Sequence, residues 1–188
     1  MGLLDTILGR SKAAKPDLDE LFALPSAAVT LEAGMGLKPT GVGSVCVKPA
    51  EGAGFAGLRE QIDELLKADN DKYTEDKDSF GFSWITRHGD GGDLSDLVAD
   101  LHSVNASLSD AGFGPALLCT LVVFSGDGGS PVGLVYLYKR GTWYPFVPTG
   151  KDKRDNSREL QVRAVLGSDL KIESDLSRWF PVWGAPGL

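Results

Sequence analysis

One run, Leu117 to Pro148, constrains this chain most; it reads LLCTLVVFSGDGGSPVGLVYLYKRGTWYPFVP. Two dense stretches of Leu, Val, Cys, Phe and Tyr and a third, aromatic one are separated by two turns, a spacing that predicts three successive antiparallel strands. Leu117 to Phe124 is apolar on both faces, which suits a central strand covered twice. In the next strand Val132, Leu134, Tyr136 and Tyr138 share one face, and Val135 and Leu137 the other. Lys139-Arg140-Gly141-Thr142 then turns the chain, with Gly141 supplying the positive φ, and Trp143 to Val147 returns it.

The rest of the chain reads as elements that pack on this run. Asp17 is placed to cap a helix, with Glu20 closing a capping box, Leu18, Leu21 and Phe22 on its apolar face, and Pro25 as its end. Ala27 to Leu31 and Val42 to Lys48 have strand character, and the glycine-rich EAGMGLKPTG between them reads as a hairpin loop. It is no phosphate cradle, because Gly43 leads into the strand-like SVCVK and no Lys-Ser/Thr pair follows. Phe55, Leu58, Ile62, Leu65 and Leu66 recur at helical steps; ADNDKYTEDKD reads as a surface loop; Ser79 to Arg87 alternates as a half-buried strand. The clearest helix carries Leu94, Leu97, Val98, Leu101, Val104, Leu108 and Ala111, with Asp93 as cap and Gly112 as left-handed stop. A last helix has Asn156 and Glu159 as a capping box and Leu160, Ala164 and Val165 facing the core. Lys151, Lys153, Arg154, Arg158 and Arg163 form a local basic patch, either a solvated face or a surface for an acidic partner. In the tail, SRWFPVWGAPGL, Trp179, Phe180 and Trp183 either fold back on the domain or are displayed as a docking peptide.

At 188 residues the chain fits one domain with one good core. A net charge of −7 argues against bulk electrostatic binding to nucleic acid. No run approaches the roughly 20 apolar residues that span a bilayer. The N-terminus lacks a secretory pattern, since its apolar stretch precedes its basic residues, and the expected location is cytoplasmic. Residues 1–15 form an amphipathic segment in which Leu3, Leu4, Ile7 and Leu8 share one side. It is a docking or peripheral membrane helix, or a terminal helix packed on its own domain. The MG…T start also fits the permissive N-myristoylation pattern, which is weak evidence on its own.

Catalytic constellations are missing. There is no Gly-x-Ser-x-Gly elbow, His-Glu-x-x-His, Walker lysine or Cys-x-x-Cys. His88 and His102 are scattered, and with two strand cysteines they show no metal spacing, so neither metal nor cofactor is expected. Cys46 and Cys119 read as free buried thiols, and a disulfide between neighbouring strands stays open as the alternative.

Several strings carry a resemblance. MGLLDTILGRSK with LDELFALPSAAVTLEA, then DLHSVNASLSDAGFGPALLC, LVYLYKRGTWYPFVP and the closing RWFPVWGAPGL are similar to the PspA-associated protein PspAB family of actinobacteria, in order and over nearly the whole chain. The resemblance implies a cytoplasmic accessory of the phage-shock envelope-stress response, whose central protein PspA binds membranes. It also implies a link to a membrane metalloprotease of the HtpX type. It brings no catalytic or ligand-binding residue to carry over. In shape, the helix before a long hairpin resembles the YbjN and type III secretion chaperone-like α+β fold, whose members bind protein segments.

These readings converge on a single α+β domain over residues 16–188, an antiparallel sheet with helices packed mainly on one face. The expected function is that of a non-catalytic adaptor acting through protein–protein contact. Tyr136, Tyr138, Lys139, Arg140, Trp143 and Tyr144 are the candidate partner-binding residues, because aromatics and Arg are enriched at interfaces. The alternative is an enzyme or small-ligand-binding protein whose site is assembled only in three dimensions, for which a deep pocket holding His102 or His88 beside carboxylates would speak.

Overall fold

The structure is a computed structural model that describes residues 17–48, 56–57, 60, 62–64, 67, 72–89, 91, 93–126 and 129–188. The N-terminal segment with Leu3, Leu4, Ile7 and Leu8 lies outside the described residues, as do Phe55, Leu58, Leu65 and Leu66.

The long run does form three strands: β4 (Leu117–Ser125), β5 (Val132–Leu137) and β6 (Thr142–Phe146). With β1 (Lys38–Val47), β2 (Tyr73–Lys77) and β3 (Ser83–His88) they make a six-stranded sheet in the order β2-β3-β1-β4-β5-β6. Every pairing in it is antiparallel. As expected, β4 is internal and buried on both faces. Val122 and Phe124 point into a helix-covered core, and Leu121 and Val123 into a second cluster on the opposite face.

Helices α1 (Leu24–Met35), α2 (Leu94–Leu108) and α3 (Asn156–Leu166) supply the larger core, with Val45, Ile85, Leu134, Tyr136, Tyr138 and Trp143 of the sheet. In α2, Asp93 caps the first turn through the Ser95 amide, and the predicted apolar stripe is buried from Leu94 to Leu108. A short π-helical turn follows, in which Gly112 takes φ +90°. Gly43 of β1 lies under α2 in this packing. A Cβ there would stand 2.6 Å from Leu101 Cδ1 and 3.1 Å from Leu97 Cδ1, so any larger residue would require these leucine side chains to shift. One polar network crosses the same core: the Asn105 amide donates to Leu101 O and Thr120 Oγ1, and Thr120 meets the Tyr138 hydroxyl.

Several local expectations are corrected. Ala27 to Leu31 is helix, not strand: Pro25 stands in the first turn of α1, where its missing N–H costs nothing. Leu24, Ala27, Ala28 and Leu31 are buried at helical spacing, while Asp17 caps a preceding 3₁₀ turn, Leu18–Ala23. The glycine-rich link is therefore no hairpin; Gly36 ends α1 at φ +66° and sends the chain into β1. Within the polar loop, Tyr73–Lys77 forms the edge strand β2. β3 starts only at Ser83, because the Asp78 carboxylate accepts the Phe80 and Phe82 amides and bends the chain before it. Among the described residues of the 55–66 stretch, Ala56, Gly57, Glu60 and Ile62–Glu64 are helical and Ile62 is buried.

The segment after β6 also differs. Pro148–Gly150 and Lys153–Arg154 pair as a two-stranded ladder, β7–β8. Asp155, not Asn156, caps α3 by accepting the Arg158 amide. Glu159 then turns inward rather than back to the cap, so Val162 and Leu166 carry the core face, while Leu160 and Ala164 are exposed. Truncating Leu101 to Ala is expected to lower the unfolding free energy by about 2–5 kcal/mol in urea titration, whereas Phe180→Ala, at an exposed position, shifts it by less than about 0.5 kcal/mol.

Candidate functional site

The face of the sheet opposite α1, α2 and α3, which carries no helix among the described residues, is covered by the C-terminal tail. Beyond α3, Ile172 forms a parallel bridge to Trp143, with Trp143 N donating to Lys171 O and Glu173 N to Trp143 O. Two buried carboxylates anchor the irregular residues that follow. Glu173 takes the Arg140 guanidinium, the Thr142 hydroxyl and the Asp175 amide. Glu159 accepts the Val147 amide at 2.9 Å and Arg154 Nε at 2.8 Å, and Arg154 reaches on to Trp179 O at 2.7 Å. Trp179 is buried, with its indole donating to Glu173 O, and Tyr144 donates to Phe180 O at 2.8 Å. The tail is thus folded back on the domain, the first of the two readings its aromatics allowed.

This cover is incomplete. Between the tail and the β2–β3 turn lies an open groove of about 450 Å³. Its lining includes Trp84 and Tyr144 from the sheet, Phe80 and Phe82 from the turn, and Phe180 and Trp183 from the tail. Phe80 is 66 % and Phe180 59 % exposed, which is unusual for side chains of their size. Lys139 and Arg140, from the β5–β6 turn, line it as well. Asp78 is the acidic residue of the lining, and its carboxylate is engaged by the Phe80 and Phe82 amides and by Trp84 Nε1 at 3.0 Å.

Cys46 and Cys119 also line the groove, as directly opposed residues of β1 and β4. Both are free thiols. Hydrogen bonding to the Cys119 thiol, with burial second, pushes the Cys46 thiol far above its ordinary range. Burial likewise holds the Tyr144 phenol well above its ordinary value. The Cys46 thiol and the Tyr144 phenol are therefore neutral at physiological pH, and the groove lining is largely apolar.

The structure divides the six residues expected at a partner surface. Tyr136, Tyr138 and Trp143 are buried on the helix side, where sheet alternation puts them, and present nothing to a partner. Tyr144 is buried on the tail side, at the groove. Lys139 and Arg140 are exposed, Arg140 being tied to Glu173. Neither histidine lines the groove: His102 sits 3.5 Å from Asp19 and against the Phe22 ring, and His88 meets Thr74 Oγ1. Of the basic patch, Arg154 is drawn inward to Glu159. Sequence reasoning misses Phe80, Phe82, Cys46 and Cys119 as groove residues, and it reaches the tail aromatics only through the docking-peptide alternative; in the structure Phe80 and Phe180 stand out by their exposure.

An α+β protein with an apolar groove beside a strapped tail is the class that this geometry defines. The chain belongs to the family described as PspA associated protein B, PspAB, whose model matches residues 1–187. No curated protein and no solved structure matches it, so the likeness to YbjN and the secretion chaperones rests on element order alone. Among the described residues, no helix is long and apolar enough to cross a membrane.

The Glu173 anchor makes the tail pH-sensitive. Burial raises its carboxyl pKa, but the Asp175 amide, the Arg140 guanidinium and the Thr142 hydroxyl outweigh that and hold it below the ordinary 4.5. A depressed carboxyl contributes stability that is present above the ordinary value and lost as pH falls through the lowered one. Glu173→Gln is expected to cost about 1–3 kcal/mol in urea unfolding at pH 7. The gap to the parent protein should narrow as titrations are repeated below pH 4.5.

Proposed function

We propose that this protein is a non-catalytic accessory of the PspA-dependent envelope-stress response and works by gripping a PspA-type protein in the groove between its tail and the β2–β3 turn. Family membership over residues 1–187 is the observation that carries the link to PspA. The groove supports the grip: apolar walls, exposed Phe80 and Phe180, and Lys139 on its lining suit an apolar segment that also carries acidic side chains. In this reading the protein is cytoplasmic, and contact with the bilayer is at most peripheral, through residues 1–15. A membrane protease of the HtpX type is the other partner that the family resemblance implies.

A second reading has one observation in its favour. A largely apolar cavity of about 450 Å³ lies within the range of small-ligand pockets, so a small-molecule-binding protein or an enzyme fits the same volume.

Crosslinking in cells followed by native pull-down tests the first reading. A PspA-type protein should co-purify, with crosslinks at the groove, and Phe80→Ser, Phe180→Ser and Lys139→Glu should each reduce its recovery, by about tenfold where the contact is worth about 1.4 kcal/mol. Recovery of the protein alone would sink the adaptor reading. A small molecule retained in native mass spectrometry of that material, and lost from the Phe180→Ser variant, would favour the second.

A further inference from the structure

The groove contains two sulfurs that the partner reading does not use. Cys46 and Cys119 are not merely near in space: they are register partners on adjacent antiparallel strands, and both side chains belong to the tail-side cluster. Directly opposed residues of an antiparallel pair have Cα atoms about 4.5–5.5 Å apart, within the roughly 4.4–6.8 Å that a disulfide spans. Both side chains point to the same face of the sheet, toward the same groove. The register shifts by one residue immediately beyond this pair, between Cys46 and Val47, so a bulge lies beside it. Local backbone adjustment is therefore available where a new bond would need it.

Access is the second requirement. Cys46 is 3 % and Cys119 6 % exposed, yet both line the open groove, so a small oxidant reaches them without unfolding the sheet. No third cysteine competes for either sulfur. Two lone buried thiols in separate core pockets would serve packing only; two opposed thiols under an opening form a dithiol.

We propose that Cys46 and Cys119 are a reversible redox pair, closing to an intramolecular disulfide across β1 and β4 when a peroxide or a low-molecular-weight disulfide enters the groove. With a peroxide, the Cys119 sulfur attacks one peroxide oxygen, the O–O bond breaks, and a sulfenic acid and one water form. The Cys46 sulfur then attacks the sulfenic sulfur. Its proton leaves with the departing hydroxide as a second water, and the S–S bond remains. The dithiol loses two electrons and the peroxide gains them. With a low-molecular-weight disulfide, the Cys119 thiolate forms a mixed disulfide and releases one thiol. Cys46 displaces the second, again with two electrons transferred. The attacking form is the thiolate, which burial disfavours at Cys46, so closure is slow, over minutes to hours rather than in seconds. Intracellular disulfides of this kind are transient and sensing rather than structural. The inference stands whether or not the groove holds a partner.

The test uses the full chain, incubated in glutathione buffers from fully reduced to fully oxidised and, separately, with hydrogen peroxide. Samples are then acid-quenched, denatured and alkylated with N-ethylmaleimide. Under reducing conditions intact mass should show two adducts. Under oxidising conditions it should show a monomer without adducts and two hydrogens lighter, reverting on dithiothreitol, with Cys46 and Cys119 joined in the peptide map. Cys46→Ser and Cys119→Ser should each stop at a glutathione adduct or a free thiol; if either fails to fold, the peptide map of the parent protein decides alone. Two maleimide adducts surviving in the most oxidising buffer, glutathione adducts without the internal link, or links only between chains would overturn the proposal.

Discussion

The structure depends on β4 being apolar on both faces. A strand of that kind lies inside the sheet and needs cover above and below, because leaving either face in water forfeits about 25 cal/mol for each Å² of apolar surface. Helices α1, α2 and α3 cover one face with regular elements. On the other, among the described residues, the cover comes from the last residues of the chain, which are irregular, short and rich in proline and glycine. The groove is what remains where that cover stops. Folding and the candidate site thus share a cause: a doubly apolar strand and a cover that fits only part of it.

An irregular strap has no helical or sheet ladder to hold it, so its fixation falls to side chains. Glu159 and Glu173 are buried, and each is met by an arginine and by at least one backbone amide. Pairing of this completeness offsets the cost of taking a carboxylate out of water, and losing one partner would strand the other. The anchors specify position more than they add stability. Arg154 ties α3 to Trp179, and Arg140 ties the β5–β6 turn to Glu173, so the tail lies in one place along the sheet. Phe180 keeps its carbonyl on Tyr144 while its ring stays at the groove.

Much of this was legible in the residues, and the failures have physical reasons. The double apolar face of β4 and the apolar stripe of α2 from Leu94 to Leu108 are periodic signals that tertiary context reinforces. α1 escaped because its Ala-Ala-Val-Thr-Leu string mixes β-branched residues with small ones, and because a proline opens a helix as readily as it ends one. β2 escaped because Glu75, Asp76 and Lys77 give an edge strand no apolar alternation to read. At the β5–β6 turn, residue type pointed to an interface, but strand alternation decides which side a ring occupies, and it sends Tyr136, Tyr138 and Trp143 under the helices. The groove could not be read locally, because Cys46, Phe80, Leu118 and Trp183 come from distant parts of the chain and meet only once the sheet forms.

The parallel bridge between Ile172 and Trp143 reaches beyond holding the tail. It occupies main-chain groups on the free side of β6, one of the sheet's two outer strands. The opposite outer strand, β2, is short and carries charge on three of its five residues. Unpaired sheet edges recruit strands from other molecules, and short length, charge and coverage are the ways of discouraging it. The tail that leaves one groove open therefore also closes one border of the sheet. A chain shortened before Ile172 would lose more than a lid: it would expose the flank of its most aromatic strand to other copies of itself.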